Sequence, residues 1–166
     1  MAEQLREFML RAGISIEFQD LARLPYYFNQ ASIALDLGSR YDSTLWSYRF
    51  EHYMLSYVAE QCMQELDAEA LCPIGLLKLR EYCREKGRDY DVTLRIFLEN
   101  NMSIANTIRK IHMQRATFLY QLNKIQKIMG VDLQNYETRL QLMIAYQLLD
   151  KESKENEVSE REYAEL

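Results

Sequence analysis

Apolar residues recur every three or four positions along most of the chain, and this spacing predicts helices. The first helix is predicted to end at Gly13, since glycine readily adopts the left-handed conformation that closes a helix. A second helix is predicted from Pro25, which suits a first helical turn, to Gly38. Three more are predicted: His52–Glu65, Pro73–Glu85 with Gly87 after it, and a short helix from Asp91 to Asn100–Asn101.

The segment Leu45–Phe50 alternates with a period of two and is rich in aromatic residues, so it is predicted to be a strand. It is the one strand that the pattern predicts, and a single strand cannot form a sheet. The N-terminal part is therefore interpreted as the trailing edge of an α/β domain. In the helix that follows, Met54, Leu55, Val58 and Ala59 are predicted to face inward.

Two helices joined by a tight turn are predicted over residues 103–111 and 115–129. Ser103 is a suitable N-cap for the first, and Gly130 ends the second. A break at His112–Gln114 separates them. Two such helices, the second longer and more basic, form the pattern of a helix-turn-helix. The apolar positions are Ile104, Ile108 and Ile111 in the first helix and Phe118, Leu122, Ile125 and Met129 in the second.

The face of the second helix opposite these apolar positions is polar, because consecutive helical residues are about 100° apart. A helix that lies in the DNA major groove needs hydrogen-bonding groups near its N-terminus and cations further along. Periodicity alone does not distinguish such a helix from an ordinary solvated one. The residues of this face are Ala116, Tyr120, Asn123 and Lys127, flanked by Thr117 and Lys124.

The charge distribution favours nucleic-acid binding more than the net charge of −5 does. Residues 101–130 contain five basic residues and no acidic one, so this segment carries +5 and the rest of the chain −10. A local basic field on an acidic chain is an electrostatic indication of a DNA-binding surface. The segment Asp150–Leu166, with seven acidic and three basic residues, is predicted to be a solvated or frayed tail.

Composition limits the fold class. The 166 residues are 48% hydrophobic, which is enough for a buried core. Only 5 glycines and 2 prolines argue against a turn-rich barrel or sandwich. No apolar run approaches the ~18 residues of a membrane span, and the N-terminus has no signal-peptide pattern. Three cysteines without a CxxC pair predict reduced thiols in a cytosolic protein.

The run "NNMSIANTIRKIHMQRATFLYQLNKIQKIMGVDL" resembles the C-terminal helix-turn-helix of the PucR and CdaR family, the purine-catabolism and carbohydrate-diacid regulators of bacterial transcription. That family shows a motif like H-R-N-T-[LV]-x-Y-R-[LI]-x-[KR]-[IL], followed by a Gly-[ILV]-Asp-Leu turn. "RLQLMIAYQLL" is similar to the family's last helix. The matching positions are Gln114, Arg115, Ala116, Thr117, Phe118, Tyr120, Gln121, Leu122, Lys124 and Ile125, then Gly130–Leu133.

The resemblance extends upstream. "PIGLLKLREYCREKGRDYDVTLRIFLENN" is similar to the helices that precede the family's helix-turn-helix. "GISIEFQDLARLPYYFNQASIALDLG" resembles the end of the family's central domain, an α/β fold related to nucleotide cyclases but without their activity. The resemblance implies that this chain starts inside that central domain, as a fragment or a shortened relative, and that an effector is sensed by a region not in this chain.

Four positions depart from the family pattern. Gln114 replaces its His, Ala116 its Asn, Gln121 its Arg, and Ile108 stands where a small Ala is expected. The larger Ile108 is predicted to push the two helices apart or to require repacking. Loss of a base-reading Asn or a phosphate-contacting Arg weakens binding by about 1–3 kcal/mol each. The chain is therefore predicted either to read a divergent site or to have lost DNA binding and kept the fold.

The sequence offers little support for catalysis. It contains no nucleophile elbow, no glycine loop for phosphates and no zinc-ligand spacing. His52 and His112 stand alone, and the acids at Glu65, Asp67 and Glu69 are ordinary for a joint between helices. No cofactor and no metal site are predicted. A catalytic remnant of the cyclase-like region is the weakest alternative, because no metal-binding acidic signature is visible.

The sequence thus predicts a mainly α protein with a helix-turn-helix domain of the helical-bundle type, preceded by a truncated, non-catalytic α/β segment. The predicted parts are residues 1–66, the α/β remnant, 67–150, the helix-turn-helix domain, and 151–166, an acidic tail. Its predicted function is transcriptional regulation through double-stranded DNA, without membrane association; the alternative is an interaction or dimerisation module with a degenerate helix-turn-helix. A homodimer is predicted from apolar surface near Tyr57 and Tyr146. The predicted DNA-binding residues are Arg109, Lys110, Gln114, Arg115, Thr117, Tyr120, Gln121, Asn123, Lys124 and Lys127.

Overall fold

The computed structural model describes residues 2–164, with the side chains of residues 5–153 and 156. Contacts divide the chain into two units: Met1–Glu65 with Lys151–Leu166, and Leu66–Asp150. We call them the N-terminal unit and the helical unit. The elements are α1 (Ala2–Glu7), β1 (Ala12–Ile14), a 3-10 turn (Leu21–Arg23), α2 (Leu24–Tyr41), β2 (Ser47–Arg49), α3 (Phe50–Cys62), α4 (Ile74–Lys86), α5 (Tyr90–Glu99), α6 (Ile104–Lys110), α7 (Arg115–Met129) and α8 (Tyr136–Ala164).

In the N-terminal unit, β1 and β2 form a parallel pair in which Gly13 lies opposite Tyr48. The prediction that Gly13 closes a helix is wrong, because this residue lies within β1. A Cβ atom at Gly13 would lie 1.8 Å from the carbonyl oxygen of Ala31 in α2. The absence of a side chain at Gly13 therefore lets β1 approach α2 closely. The predicted strand at Leu45–Phe50 is confirmed in part, since β2 covers Ser47–Arg49 and Phe50 already begins α3.

Helix α2 begins next to Pro25 as predicted but continues three residues past Gly38. Gly38 is buried, and a Cβ atom there would lie 2.1 Å from the ring of Tyr48. This glycine lets the buried tyrosine pack on the helix and does not end it. The Tyr48 hydroxyl lies 2.9 Å and 2.8 Å from the carbonyl oxygens of Asp42 and Leu45, and its one O–H, donated to either of them, holds the turn before β2.

Helix α3 does not bury the face that its spacing predicts. Met54, Leu55 and Val58 are 45%, 56% and 50% exposed, and of the four predicted residues only Ala59 is buried. The prediction of an inward face is wrong for these three residues because α2 packs on the Ala59 side of α3. An apolar surface on α3 therefore faces outward.

The helical unit packs α4, α5, α7 and the first turns of α8 around one core. Gly87 and Gly130 end α4 and α7 in the left-handed conformation, with φ of 58° and 69°, as the sequence predicts. Helix α5 begins at Tyr90, so Asp91 is not its cap. The side chains of this core that are less than 1% exposed are Leu76, Leu79, Leu94, Phe118 and Ile125.

Asp91 instead joins α5 to α8. Its carboxylate accepts a 2.7 Å hydrogen bond from the hydroxyl of Tyr146. Burial, with the nearby Asp91 carboxylate, raises the pKa of Tyr146 above its ordinary value. Tyr146 itself is 6% exposed, but Leu140, Met143 and Ile144 on the same helix are 42%, 49% and 51% exposed, so the apolar surface predicted around Tyr146 is present without the tyrosine. Arg95 holds the same two helices together through a bidentate pair with Asp150, at 2.6 Å to each oxygen.

The segment predicted to be an acidic tail is helical as far as Ala164, because α8 continues through it. Its Glu and Lys residues have high helix propensity, which favours this continuation. Lys151 is 4% exposed, and its ammonium lies 4.2 Å from the ring centroid of Tyr41 and 3.8 Å from Glu60. The prediction of a solvated segment is therefore wrong at Lys151. Across residues 2–164, no helix combines the length and apolarity that crossing a bilayer demands.

Candidate nucleic-acid interface

The two helices predicted between residues 103 and 130 are separate, as expected. The Ser103 hydroxyl oxygen accepts a hydrogen bond from the backbone N–H of Asn106 and caps α6. Helix α6 ends at Lys110, and the chain turns through His112, whose φ is 50°, before α7 begins at Arg115. The short turn keeps α6 and α7 in contact. A helix-turn-helix over these residues is therefore confirmed.

Thr107 is the side chain that α6 buries completely. Its hydroxyl donates a 2.8 Å hydrogen bond to the carbonyl oxygen of Ser103, so burial leaves no polar atom unpaired. Ile108, where crowding is expected from the sequence, is partly buried at the edge of the core. The apolar spacing misses Thr107 because a threonine does not register as an apolar position. A small residue is expected at position 108, but the small side chain that packs against the core is Thr107, one residue earlier.

The inner face of α7 is the one predicted. Phe118 and Ile125 are fully buried, Met129 is 5% exposed and Leu122 packs against the same core. The ring of Phe118 meets that of Phe97 edge to face, with centroids 5.3 Å apart. These contacts fix which side of α7 faces outward.

The opposite side of α7 is exposed, and we call it the α7 outer face. Tyr120 is 65% exposed near its centre, and Leu119, which the sequence analysis does not include, is 40% exposed beside it. Helical geometry could have placed Leu119 there, since it lies about 100° from Phe118 and outside the apolar positions of the helix. The α7 outer face consists of Arg115, Ala116, Thr117, Leu119, Tyr120, Asn123 and Lys127, preceded by Gln114 at the N-cap.

Two of the predicted DNA-binding side chains turn back onto the helical unit. The Gln121 amide oxygen lies 3.5 Å from the hydroxyl of Thr93 on α5. The Lys124 ammonium lies 5.4 Å and 5.9 Å from the ring centroids of Tyr82 and Tyr90. A hydrogen bond to the Tyr82 side chain raises the pKa of Lys124 above its ordinary value. The structure thus separates Gln121 and Lys124 from the other predicted residues.

The two basic residues of α6, Arg109 and Lys110, have different surroundings. Lys110 lies 3.5 Å from Glu99, a carboxylate that Arg95 also contacts at 2.8 Å. Arg109 is exposed next to it. Glu99 lies two residues before the acid-free segment, and folding places its negative charge beside this basic stretch. The field that remains on the outer surface comes mainly from Arg109, Arg115 and Lys127.

Residues 92–148 match the family model of the PucR C-terminal helix-turn-helix domain. The match includes all of α6 and α7, most of α5 and the first part of α8, but not α4. This segment is similar to a PucR-type helix-turn-helix domain. The resemblance to the PucR helix-turn-helix that the sequence shows is thereby confirmed, and the resemblance to CdaR stays a prediction.

The chain is also 28% identical, over 138 residues, to the purine catabolism regulatory protein of Bacillus subtilis (strain 168). The aligned part is 82% of this chain and 25% of that relative, so the chain spans about a quarter of the relative's length. No solved structure matches the chain. The functional proposal therefore rests on the match to the PucR-type domain.

Proposed function

We propose that this chain binds double-stranded DNA through α7 and acts in transcriptional regulation. The observation that carries the proposal is the α7 outer face, which a PucR-type helix-turn-helix leaves exposed with three cations around it and no acid on it. Helix α7 has 15 residues, so it is about 22 Å long and fits the major groove lengthwise.

The residues take two roles in this proposal. Thr117, Tyr120 and Asn123 reach base edges, with Arg115 at the N-terminal end of the helix as the main reader. Leu119 and Ala116 present apolar atoms suited to thymine methyl groups. Arg109 and Lys127 neutralise phosphates, while Lys110 and Lys124 contribute less because Glu99 and the Tyr82–Tyr90 pair engage them.

The N-terminal end of α7 also suits a phosphate. Gln114 occupies the N-cap position but makes no side-chain capping hydrogen bond. The first N–H groups of a helix have no partner within the helix and carry the positive end of its dipole. A DNA phosphate placed there accepts those hydrogen bonds, as anions do at helix N-termini.

Binding to DNA is expected to weaken steeply with salt. Each neutralised phosphate contributes about −0.9 to the slope of log K against log salt, so Arg109 and Lys127 predict about −1.8 per protomer. Lys127→Glu is expected to weaken binding to all sequences alike and to flatten this slope by about one unit. Fluorescence anisotropy of a labelled random duplex between low and physiological salt measures both quantities.

Lys78→Glu is the matched control, because it makes the same charge change at an exposed position of α4. The slope of this variant is expected to stay close to that of the parent. No binding at low salt would contradict the proposal and favour an interaction module. Equal effects of the two substitutions would show that the whole unit, and not α7, attracts DNA.

We also propose that the chain is a homodimer that associates through the exposed apolar face of α3. Sedimentation equilibrium is expected to show a dimer at tens of micromolar, because Met54, Leu55 and Val58 are each about half exposed on one helix, and exposed apolar patches mark interaction surfaces. Leu55→Glu is expected to shift the protein to monomer, and Gln61→Glu, an exposed control on the same helix, is not. A monomer at high micromolar concentration would contradict this proposal.

A cytoplasmic location and an effector sensed outside this chain stay predictions.

A further inference from the structure

A cavity of about 520 Å³ lies within the helical unit, between the end of α5 and helices α6, α7 and α8. Its volume is within the range of about 300–1,000 Å³ that is typical of small-molecule sites. The wall comes from all four helices and is about equally polar and apolar. The apolar residues that line it include Phe97, Met102, Ile104, Leu122 and Met143.

Arg139 is the charged residue of the cavity wall, and none of the lining residues is acidic. Its Nη1 atom donates to the carbonyl oxygens of Leu133 and Gln134, at 2.9 Å and 2.6 Å, so the guanidinium is held in place. Its Nε and Nη2 atoms make no hydrogen bond within the part of the chain that the structure describes. The Gln126 amide oxygen accepts a 3.2 Å hydrogen bond from the Leu133 N–H and steadies the same turn. Arg139 is therefore a fixed cation with free donors, and it lies beside the apolar part of the wall.

The backbone at the rim is strained. Asn101 and Met102 both adopt the left-handed conformation, with φ of 52° and 58°. For a residue such as methionine this conformation is unfavourable, and such strain concentrates at ligand sites. Hydrogen bonds from Met102 N–H to the Phe97 carbonyl and from Ser103 N–H to the Asn100 carbonyl, each 2.9 Å long, hold the segment. The strained pair is what brings Met102 to the cavity wall.

We propose that this cavity binds a small molecule with an apolar body and one carboxylate. The carboxylate pairs with Arg139, whose planar fork matches its two oxygens, and the body lies against Leu122, Ile104 and Met143. Such a ligand touches α6 and α7 from behind the α7 outer face. The site does not depend on DNA binding, and it is separate from any sensory region elsewhere.

Octanoate is the test ligand, and octylamine, which has the same chain and the opposite charge, is the matched control. In the full chain labelled with 13C at the methionine methyl groups, titration with octanoate is expected to shift the signals of Met102 and Met143 saturably. Met54, exposed on α3 in the N-terminal unit, reports nonspecific adsorption and is expected to stay unchanged. Octylamine is expected to bind at least about tenfold more weakly, since one charge-assisted hydrogen-bonded pair contributes about that factor.

Two variants test the role of the charge. Arg139→Gln is expected to reduce octanoate affinity about tenfold, and Arg139→Lys to retain most of it. Met143→Glu places a carboxylate one turn after Arg139 at a position that is 49% exposed, so the fold tolerates it. With Met102 as the reporter, this variant is expected to lose octanoate binding and to gain octylamine binding. The proposal is overturned if octylamine and octanoate shift Met102 equally, if Met54 shifts alongside them, or if Met143→Glu leaves the preference unchanged.

Discussion

Phe118→Ala is expected to destabilise the helical unit by about 3–5 kcal/mol, a loss comparable with the whole stability of many domains of this size. The ring is fully buried on the inner face of α7 and meets the ring of Phe97 on α5. Removing it takes apolar area out of the core and leaves a cavity that the surrounding helices cannot fill completely. Because the same residue fixes which side of α7 faces outward, the substitution is also expected to abolish DNA binding.

Urea denaturation followed by circular dichroism at 222 nm measures this loss. Leu119→Ala is the control, since it makes a large-to-small change one residue further along α7 at a position that is 40% exposed. Its effect on the free energy of unfolding is expected to stay within about 1 kcal/mol. If Phe118→Ala cost no more than Leu119→Ala, α7 would not be packed as the structure has it.

Arg115→Ala is expected to weaken binding to the preferred DNA site by about 1–3 kcal/mol, which corresponds to roughly 5- to 150-fold. Arg115 is the first residue of α7 and is exposed, and the N-terminal residues of such a helix contact base edges. Arginine pairs with guanine through two hydrogen bonds in the major groove. The loss is therefore expected mainly on the preferred sequence, unlike that of Lys127→Glu.

The preferred site is first selected from a random duplex pool, and both it and a scrambled duplex are then titrated by anisotropy. Arg88→Ala, at an exposed position in the link between α4 and α5, is the matched control and is expected to change neither affinity. An equal loss on the two duplexes would assign Arg115 to a phosphate. Unchanged affinity on both would contradict a reading role for α7 and, together with an unchanged Lys127→Glu variant, would exclude α7 as the binding element.

The helix-turn-helix is the part of the fold that the sequence predicts best. Ser103, Gly130 and the steps of three and four from Phe118 to Met129 mark the limits and the inner face of its two helices. These signals are local, because capping and helical periodicity involve residues within one or two turns of each other. The family resemblance adds to them and agrees with the matched domain.

The contacts that individual polar side chains make depend on residues that are distant in the sequence. Lys124 and Gln121 lie on the predicted helix, but Tyr82 and Thr93, which they contact, come from α4 and α5. Sequence spacing along α7 carries no information about those helices. The sequence therefore predicts four of the five basic residues of the segment as equal phosphate contacts. Within the described part of the unit, other residues engage two of these four, and Arg109 and Lys127 are the two that stay available.

The sequence by itself determined that this protein is mainly helical, where the helix-turn-helix begins and ends, and which side of α7 is apolar, because each of these follows from short-range rules. Only the tertiary structure decided that Gly13 lies in a strand, that α3 exposes its apolar face and that a cavity with Arg139 on its wall lies between α6, α7 and α8. The pairing of two three-residue strands, the covering of a helix face and the shape of a cavity all depend on which distant segments meet. The packing of the whole unit decides which distant segments come into contact, and the pattern of any one segment does not.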